Sequence, residues 1–405
     1  MESSGPLQGL RILELGHYIA APFCTRLLAD LGADVIKVEP RSGDPIRQWG
    51  VQLNGTSPWW SVHSRNKKCI TLDLKSPRGR DLILQIAAKC DAVIENFRPG
   101  HLAKLNLDAA SFEAARPGIV LAHISGYGQD GPGRDRAAFG VIGEAIGGLR
   151  YLTNHAPGVS SLPPVRVGIS IGDSIAGLYT AFGVMSALWR RDASVRGDGK
   201  GRAVDVALSE AVFSMLEGIL PEYGLLGKIR EPAGSAIPTA APSDAYPSAD
   251  GKWVLIAANS DPLFRRLTEL IGQPALAVDP RFIGNQQRCS NRRALDEAIG
   301  AWTMNHDAAC IERMLEDADI PATRAYTIAD CAADPQFLAR GMVREVADPA
   351  LGMVLHPGIV PAVPDDPGCV RWPGPPIGAH NEDVFGHLLG LSAGELAQLQ
   401  ADGIC

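Results

Sequence analysis

The sequence predicts a doubly wound α/β fold with a second, smaller domain. Short apolar segments of strand length alternate with helical segments through the first half of the chain. Such alternation is typical of a parallel sheet with helices on both faces. The length of 405 residues exceeds what one ordinary hydrophobic core accommodates and favours two or three domains.

The N-terminal elements form a strand, helix, strand unit. Strands are predicted at 10–15 and 34–39, with a helix at 20–31 between them. A helix that returns the chain in this way makes the two strands parallel. The remaining predicted elements of the large domain are strands at 70–74, 92–95, 119–124 and 203–207, a helix at 77–89, a long apolar helix from about 174 to 191 and a helix to about 220.

Two proline-containing segments divide the chain. We predict a large domain over 1–222, a linker over 223–247 and a smaller α/β domain over 248–330. A return linker over 331–376 then leads to C-terminal helices at 377–405, which complete the large domain. Both chain termini are therefore expected in the large domain.

Composition argues against several classes of partner. A net charge of -7 disfavours nucleic acid or an anionic membrane, and no apolar segment is expected to span a bilayer. The eight cysteines form no Cys-x-x-Cys pair, and the N-terminus resembles no targeting signal. No spacing of histidine or cysteine indicates a metal site. We therefore expect a cytoplasmic protein that binds no metal.

Asp173 lies where the glycine-punctuated segment 167–172 leads into the long apolar helix. A lone carboxylate at such a junction can act as a nucleophile in covalent catalysis. Aspartate is also a preferred helix N-cap, and the local pattern alone favours that structural interpretation.

Other candidate ligand-binding residues follow the predicted strands. His17 follows the first strand, at the edge where open parallel sheets bind their ligands. The segment 16–22 lacks Gly-x-Gly-x-x-Gly, which disfavours a simple dinucleotide dehydrogenase. Several basic residues near strand ends either converge on a polyphosphate or form a solvated rim. These are Arg65, Lys67, Lys68, Lys75, Arg98 and Lys104.

Taken together, ordered motifs along most of the chain resemble the class III CoA-transferase family, also called the CaiB/BaiF family. The matching motifs lie at 10–15, 31–39, 72–79, 95–100, 125–132, 172–174 and 376–380. The resemblance implies a Rossmann-like large domain. It also implies that Asp173 is the acylated carboxylate, which reverses the preference for a helix cap. Coenzyme A and acyl-CoA are implied as substrates, with no tightly bound cofactor.

The resemblance also implies a path for CoA along the sheet edge of the large domain. Tyr18, Ile19 and Ala20 are expected to line its thiol end, while Arg41 and Lys75 approach phosphates or adenine. Leu72 is expected beside the adenine. The remaining implied contacts are Asn96, Phe97 and Arg98 at the nucleotide arm, Lys104 near a phosphate, and Phe139 and Gly140 near the reacting group.

Phe139 distinguishes between two reactions of this fold. Acyl-CoA racemases of the family carry a histidine at the matching place, where it exchanges a proton. Phenylalanine cannot do so, which disfavours a racemase or isomerase. The segments 139–148 and 164–168 resemble the branch that uses succinyl-CoA and small di- or hydroxycarboxylates. Arg166 either binds a distal carboxylate or forms an ordinary ion pair.

The function predicted from the sequence is therefore CoA transfer from an acyl-CoA, with succinyl-CoA as donor, to a small carboxylic acid. The reaction would pass through an aspartyl anhydride and an aspartyl-CoA thioester on Asp173. An acyl-CoA racemase and a CoA-binding protein without turnover are the alternatives. The resemblance further implies an interlocked homodimer.

Overall fold

Residues 5–193 and 197–405 are described by a computed structural model. They form two units. Unit 1 comprises the chain up to Arg150, Arg166–Leu226 and Leu338–Cys405. Unit 2 comprises Tyr151–Val165 and Gly227–Phe337.

The helices are α1 (Ala20–Asp30), α2 (Pro58–His63), α3 (Pro77–Ala87), α4 (His101–Lys104), α5 (Ala109–Ala115), α6 (Gly140–Ile146), α7 (Leu149–Leu152), α8 (Ile171–Asp192), α9 (Leu208–Phe213), α10 (Ile219–Leu226), α11 (Asp261–Leu270), α12 (Gly284–Ser290), α13 (Arg292–Thr303), α14 (Ala308–Asp317), α15 (Ile328–Ala333), α16 (Pro335–Ala339) and α17 (Ala393–Ala401). Short 3-10 helices lie at Pro45–Gln48 and Pro274–Val278, and a π-helix lies at Glu382–Leu388.

Unit 1 contains a six-stranded sheet in which all neighbours are parallel. Its strands are β1 (Arg11–Glu14), β2 (Asp34–Glu39), β3 (Lys67–Thr71), β4 (Ala92–Glu95), β5 (Val120–Ser125) and β6 (Ala203–Ala207). The order β3-β2-β1-β4-β5-β6 makes the sheet doubly wound, because strands are added in one direction from β1 to β3 and in the other from β4 to β6. Open α/β sheets bind ligands beyond the carboxyl ends of the strands at this switch point. The prediction of a mixed α/β fold with a parallel sheet is confirmed.

Both faces of this sheet are covered by apolar layers. Successive residues of a strand point to opposite faces, so Ile12 joins a core with α1 and α8 whereas Leu13 joins a core with α3 and the C-terminal helices. All of these side chains are buried. Burial on both faces explains why the strands appear in the sequence as nearly continuous apolar runs.

Strand β3 begins three residues before its predicted start, because Lys67 and Lys68 belong to it. The sequence places Lys67 and Lys68 near a strand end, either at a polyphosphate site or in a solvated rim. In the structure Lys67 is fully buried and forms an ion pair with Glu14, so the charge does not prevent burial. The helix predicted up to about 220 is also two short helices, α9 and α10.

Helix α8 begins at Ile171, with Ser170 at the N-cap position. Asp173 is therefore the third residue of the helix, and its interpretation as the cap is wrong. The N–H of Gly172 donates to Glu144 Oε1 at 3.5 Å. A side chain from outside α8 therefore accepts a hydrogen bond from one of the free N–H groups in its first turn. By length and composition α8 is also apolar enough to cross a membrane, contrary to the sequence-based expectation. Its buried residues, such as Ala176 and Val184, pack in the core of unit 1.

Unit 2 has its own antiparallel sheet in the order β7-β8-β9. The strands are β7 (Ser243–Pro247), β8 (Trp253–Ala257) and β9 (Ala322–Arg324). Strand β7 lies inside the segment predicted as the first linker. The segment predicted as the return linker includes an antiparallel hairpin in unit 1, β10 (Val343–Asp348) and β11 (Gly352–Pro357).

Candidate active site

The loops after β1 and β4 meet at the switch point of the sheet. The backbone N–H of His17 donates to Asn96 Oδ1, and Asn96 Nδ2 donates to the His17 carbonyl, both at 2.8 Å. Gly16 is required here because a Cβ at this position would collide with that of Ala21. Tyr18 has a φ of 63°, a left-handed conformation that is uncommon for a bulky residue. Such strained residues are concentrated at functional sites.

A fully buried charged cluster supports this loop, and its members are Glu14, Lys37, Asp44 and Lys67. Lys37 Nζ lies 2.7 Å from Glu14 Oε1 and 2.7 Å from Asp44 Oδ2, and Lys67 Nζ lies 2.8 Å from Glu14 Oε2. Burial by itself raises the pKa of both carboxyls, yet the neighbouring lysines leave both pKa values lowered. Because Asp44 Oδ1 accepts the Tyr18 N–H at 3.2 Å, the cluster holds the strained loop in place.

The predicted group of basic residues does not converge on one ligand site. Arg65 is buried and donates two hydrogen bonds to Asp30, Lys67 belongs to the charged cluster, and Lys68 forms an ion pair with Asp34. The possibility that all six bind a polyphosphate is therefore wrong, because three of them neutralise acidic side chains of the fold.

Asp173 lines a cavity of about 260 Å³ beside the switch point. Gly140 does not line this cavity but lies directly against Asp173, because a Cβ there would collide with the Asp173 carboxylate. Only glycine can therefore occupy position 140 without displacing Asp173. The predicted site residues that line this cavity are His17, Tyr18, Ala20, Asn96, Phe97, Arg98, Phe139 and Asp173.

The pKa of the Asp173 carboxyl is higher than that of an ordinary aspartate. Burial and the nearby carboxylate of Glu144 raise its pKa to about 6, and Arg166 acts in the opposite direction. Among the residues that the structure describes, none forms an ion pair with Asp173. Glu144 is buried, and Arg166 Nε lies 3.3 Å from its Oε2. Two carboxylates thus share one partly exposed guanidinium, which leaves Asp173 available for reaction.

A second cavity, of about 560 Å³, adjoins the first. His17 and Phe97 line both cavities, and their rings contact each other edge to face at 5.3 Å between centroids. Arg41, Leu72 and Lys75 line the second cavity. The two cavities together offer a path from basic side chains at one end to Asp173 at the other.

Some predicted residues lie elsewhere. Lys104 is exposed at the end of α4 and lines neither cavity. Ile19 is buried and lines a different cavity. Glu144, which the sequence analysis did not select, lies one helical turn after Gly140. Residues four apart lie on the same helix face, and that spacing was the available signal.

Comparison with known proteins identifies the family of this chain. The family model described as CoA-transferase family III matches residues 7–381. The chain belongs to CoA-transferase family III. Similar proteins include a succinyl-CoA–D-citramalate CoA-transferase from Chloroflexus aurantiacus, 46% identical over 98% of this chain and 97% of the relative. The alpha subunit of a succinyl-CoA–L-malate CoA-transferase from Chloroflexus aurantiacus is 37% identical over 98% and 92%.

A solved structure of a CaiB/BaiF family protein from Brucella suis is similar in fold to this CoA-transferase, with a TM-score of 0.82 and 32% identity. The match covers 95% of this chain and 99% of that one. The chain is therefore an enzyme of the transferase class that acts on CoA thioesters. Within the described residues, no group of three or more His, Cys, Asp and Glu side chains is arranged to hold a metal ion.

Proposed function

We propose that this CoA-transferase moves CoA from succinyl-CoA to a small dicarboxylic or hydroxydicarboxylic acid. The observation that carries the proposal is the position of Asp173, unpaired in a cavity that adjoins a second, cation-lined cavity. The names of the relatives support the substrate class, because they pair succinyl-CoA with D-citramalate or L-malate. That the acceptor of CoA is an acid of this class is part of the proposal.

The nucleotide of CoA would occupy the second cavity, beside Leu72, with Arg41 and Lys75 pairing to phosphate oxygens. The pantetheine arm would then run along His17 and Phe97, which line both cavities, toward Asp173. The other proposed contacts along this path are residues that line the first cavity, namely Tyr18, Ala20, Asn96, Arg98 and Phe139. Ile19, Lys104 and Gly140 line neither cavity of the path and remain predictions from the sequence.

The proposed reaction begins when ionised Asp173 attacks the thioester carbonyl of succinyl-CoA. The carbon–sulfur bond breaks, CoA leaves as thiolate, and a mixed anhydride of succinate and Asp173 forms. The thiolate attacks the Asp173 carbonyl, which releases succinate and leaves an aspartyl-CoA thioester. The acceptor carboxylate then attacks this thioester and forms a new anhydride. Return of the thiolate to the acceptor carbonyl yields the product acyl-CoA and regenerates Asp173.

The geometry around Asp173 supports a nucleophilic role. With a pKa of about 6, the carboxylate is mostly ionised at neutral pH but is more basic than an ordinary aspartate. It is therefore a better nucleophile, while the ionised fraction stays high. Phe139 is 70% exposed and contacts Tyr18 edge to face, so the position that carries a proton-transferring histidine in racemases offers an apolar wall.

Arg166 remains a predicted substrate contact. Its side chain is 41% exposed and pairs with Glu144, so it both influences Asp173 and faces solvent. A substrate carboxylate could compete with Glu144 for this guanidinium.

We also propose that the enzyme is a homodimer, and interlocking of the two chains is part of that proposal. Support comes from exposed apolar side chains along α8 and α10, a pattern that marks protein interfaces. They include Leu178, Phe182, Trp189, Leu225 and Leu226. Light scattering should give twice the mass of the chain, and the mass of a single chain would contradict the proposal.

The central test replaces Asp173 with asparagine. Asp173→Asn retains the size of the side chain but cannot form the anhydride, so kcat should fall by roughly 10⁴-fold or more. Wild-type protein incubated with succinyl-CoA should yield an Asp173 peptide carrying succinyl or CoA in mass spectrometry. A panel of D-citramalate, L-malate and glutarate as acceptors would identify the second substrate. Full CoA transfer by Asp173→Asn would refute the mechanism, and α-proton exchange without transfer would favour a racemase.

A further inference from the structure

A third cavity, of about 360 Å³, lies within unit 1 between α1, α2 and the start of α8. Ile19, Phe23 and Arg26 follow one face of α1 and form one wall, since residues three and four apart share a helix face. Trp59 and His63, also four apart, lie on the facing wall from α2. Most of the lining is apolar, and the basic side chains are Arg26 and His63.

Arg26 is the unusual member of this lining. It is only 8% exposed, and its Nε has no hydrogen-bond partner in the part of the chain that the structure describes. Asp30 attracts the guanidinium, but both of its oxygens already accept hydrogen bonds from Arg65. Burial lowers the pKa of Arg26 to about 10, so the side chain is still charged at neutral pH. The guanidinium lies over the Phe23 ring, with 4.9 Å between Arg26 Cζ and the ring centroid, but no described carboxylate forms an ion pair with it. A buried charge without an ion-pair partner is costly unless a ligand neutralises it.

His63 provides a second unsatisfied polar group. Its Nδ1 is buried and finds no hydrogen-bond partner among the described residues. Burial and the nearby charge of Arg26 lower its pKa to about 3, so the imidazole is neutral and keeps one N–H to donate. Around these groups lie Phe23, Trp59 and Ile169. The cavity therefore fits a ligand with a short apolar stem and an anionic end.

The cavity adjoins the reacting residue. Ser170 and Ser174 line it, and they lie three residues before and one residue after Asp173 in α8. Ile19 lines it as well, whereas its neighbours Tyr18 and Ala20 line the cavity of Asp173. The cavity of Asp173 and the cavity beside Arg26 therefore lie next to each other at the first turns of α1 and α8.

We propose that this cavity binds the non-reacting carboxylate of the dicarboxylic substrate and that Arg26 determines specificity for it. His63 donates a second hydrogen bond, and the apolar walls contact the methylene groups. The proposal rests on the function proposed above, because it assigns the distal carboxylate of the same substrate. The carboxylate that occupies the cavity belongs to the transferred acyl group, or else to a free dicarboxylic acid bound beside it.

The first experiment compares paired acyl donors with and without a terminal carboxylate. Arg26→Met has similar length and no charge, and it should lower kcat/KM for succinyl-CoA and glutaryl-CoA by about 10- to 100-fold. The kcat/KM for butyryl-CoA and valeryl-CoA should change less than threefold, since these donors lack the carboxylate. Arg116→Met removes an exposed arginine outside the cavities and serves as the charge-matched control. Equal losses for both members of each pair would overturn the proposal, as would a selective loss in Arg166→Met but not in Arg26→Met.

A second experiment needs no turnover. Succinate should raise the melting temperature of the wild-type enzyme more than butyrate does, and Arg26→Met should abolish the difference. Without ligand, Arg26→Met should melt at the same temperature as the wild type or higher, because it removes an unpaired buried charge. A large loss of stability with an unchanged succinate effect would show that Arg26 is structural and would overturn the proposal.

The outcomes separate the two proposals. If the wild-type enzyme transfers no CoA but succinate stabilises it through Arg26, the proposed function fails and the carboxylate site stands. If free succinate alters turnover of butyryl-CoA through Arg26, the site takes a separate dicarboxylate, and the assignment to the acyl group is overturned.

Discussion

Two groups of carboxylates in unit 1 have opposite surroundings. In the charged cluster, Glu14 and Asp44 each contact at least one lysine, and their pKa values are lowered. Beside the switch point, Asp173 faces Glu144, and its pKa is raised to about 6. Burial raises the pKa in all three cases, so the neighbouring charges decide the outcome.

The difference indicates what each group does. Carboxylates that are paired on all sides hold a strained loop in place and have little remaining reactivity. A carboxylate that lies near another carboxylate is destabilised when it is ionised. The repulsion between the two negative charges is removed when this carboxylate forms a covalent bond to the substrate. The same residue type therefore serves structure in one region and chemistry in the other.

Breaking the charged cluster should have the largest effect on stability. Lys37→Met removes the lysine that lies between Glu14 and Asp44 and leaves two buried carboxylates without it. Removing one partner of a buried ion pair destabilises by about 3–5 kcal/mol. Chemical denaturation should show a loss of this size, with Lys75→Met at the surface as the control. A loss below 1 kcal/mol would mean that the cluster does not stabilise the fold.

Placing a methyl group against Asp173 should lower activity strongly while leaving the fold intact. In Gly140→Ala the added Cβ collides with the carboxylate, so Asp173 must move away from its reactive position. Displacement of a reacting group by about 1 Å can cost roughly 100-fold in rate. Steady-state kcat should fall by about this factor, whereas Gly218→Ala, with open space around its Cβ, should retain activity. An unchanged kcat in Gly140→Ala would place the reaction elsewhere.

Removing the repelled charge should stabilise the protein. The pKa of Asp173 is raised from 3.8 to about 6 in the folded state, so the folded protein binds this proton more tightly than the unfolded chain does. The ionised form is therefore destabilised progressively as pH rises from about 4 through 6, and the full effect is about 3 kcal/mol. Asp173→Asn should raise the free energy of unfolding by up to about this amount at pH 7.5.

At pH 4 the same substitution should have a much smaller effect on the free energy of unfolding, because Asp173 is protonated in the folded protein and still partly protonated in the unfolded chain. Equal stabilisation at both pH values would show that charge repulsion is not the cause.

The smallest effect concerns the pH dependence of the reaction. Because Asp173 must be ionised to attack, kcat/KM should decline as pH falls below about 6. Glu144→Gln removes the repelling charge and should shift this decline to lower pH by about one unit or less. Arg166→Gln removes an attracting charge and should shift it to higher pH. Shifts of the same sign in both variants would contradict this assignment.

The segments that build the sheet were predictable because their signal is local. Strands β2, β4 and β6 match their predicted bounds, since apolar runs bounded by turns need no knowledge of distant residues. Strand β3 was shifted because the burial of Lys67 depends on Glu14, which lies 53 residues earlier. The start of α8 was also misplaced, since it depends on Glu144 from another helix.

The sequence by itself determined the alternation of strands and helices, and through its motifs it selected Asp173, His17 and Asn96 as candidate site residues. Only the tertiary structure decided which charges are paired. It placed Lys67 against Glu14, set Glu144 beside Asp173 and left Arg26 buried with no hydrogen bond to its Nε from any residue that the structure describes. The reason is physical: hydrophobic periodicity is a property of neighbours along the chain, whereas a charge responds to burial and through-space distance between residues far apart in sequence.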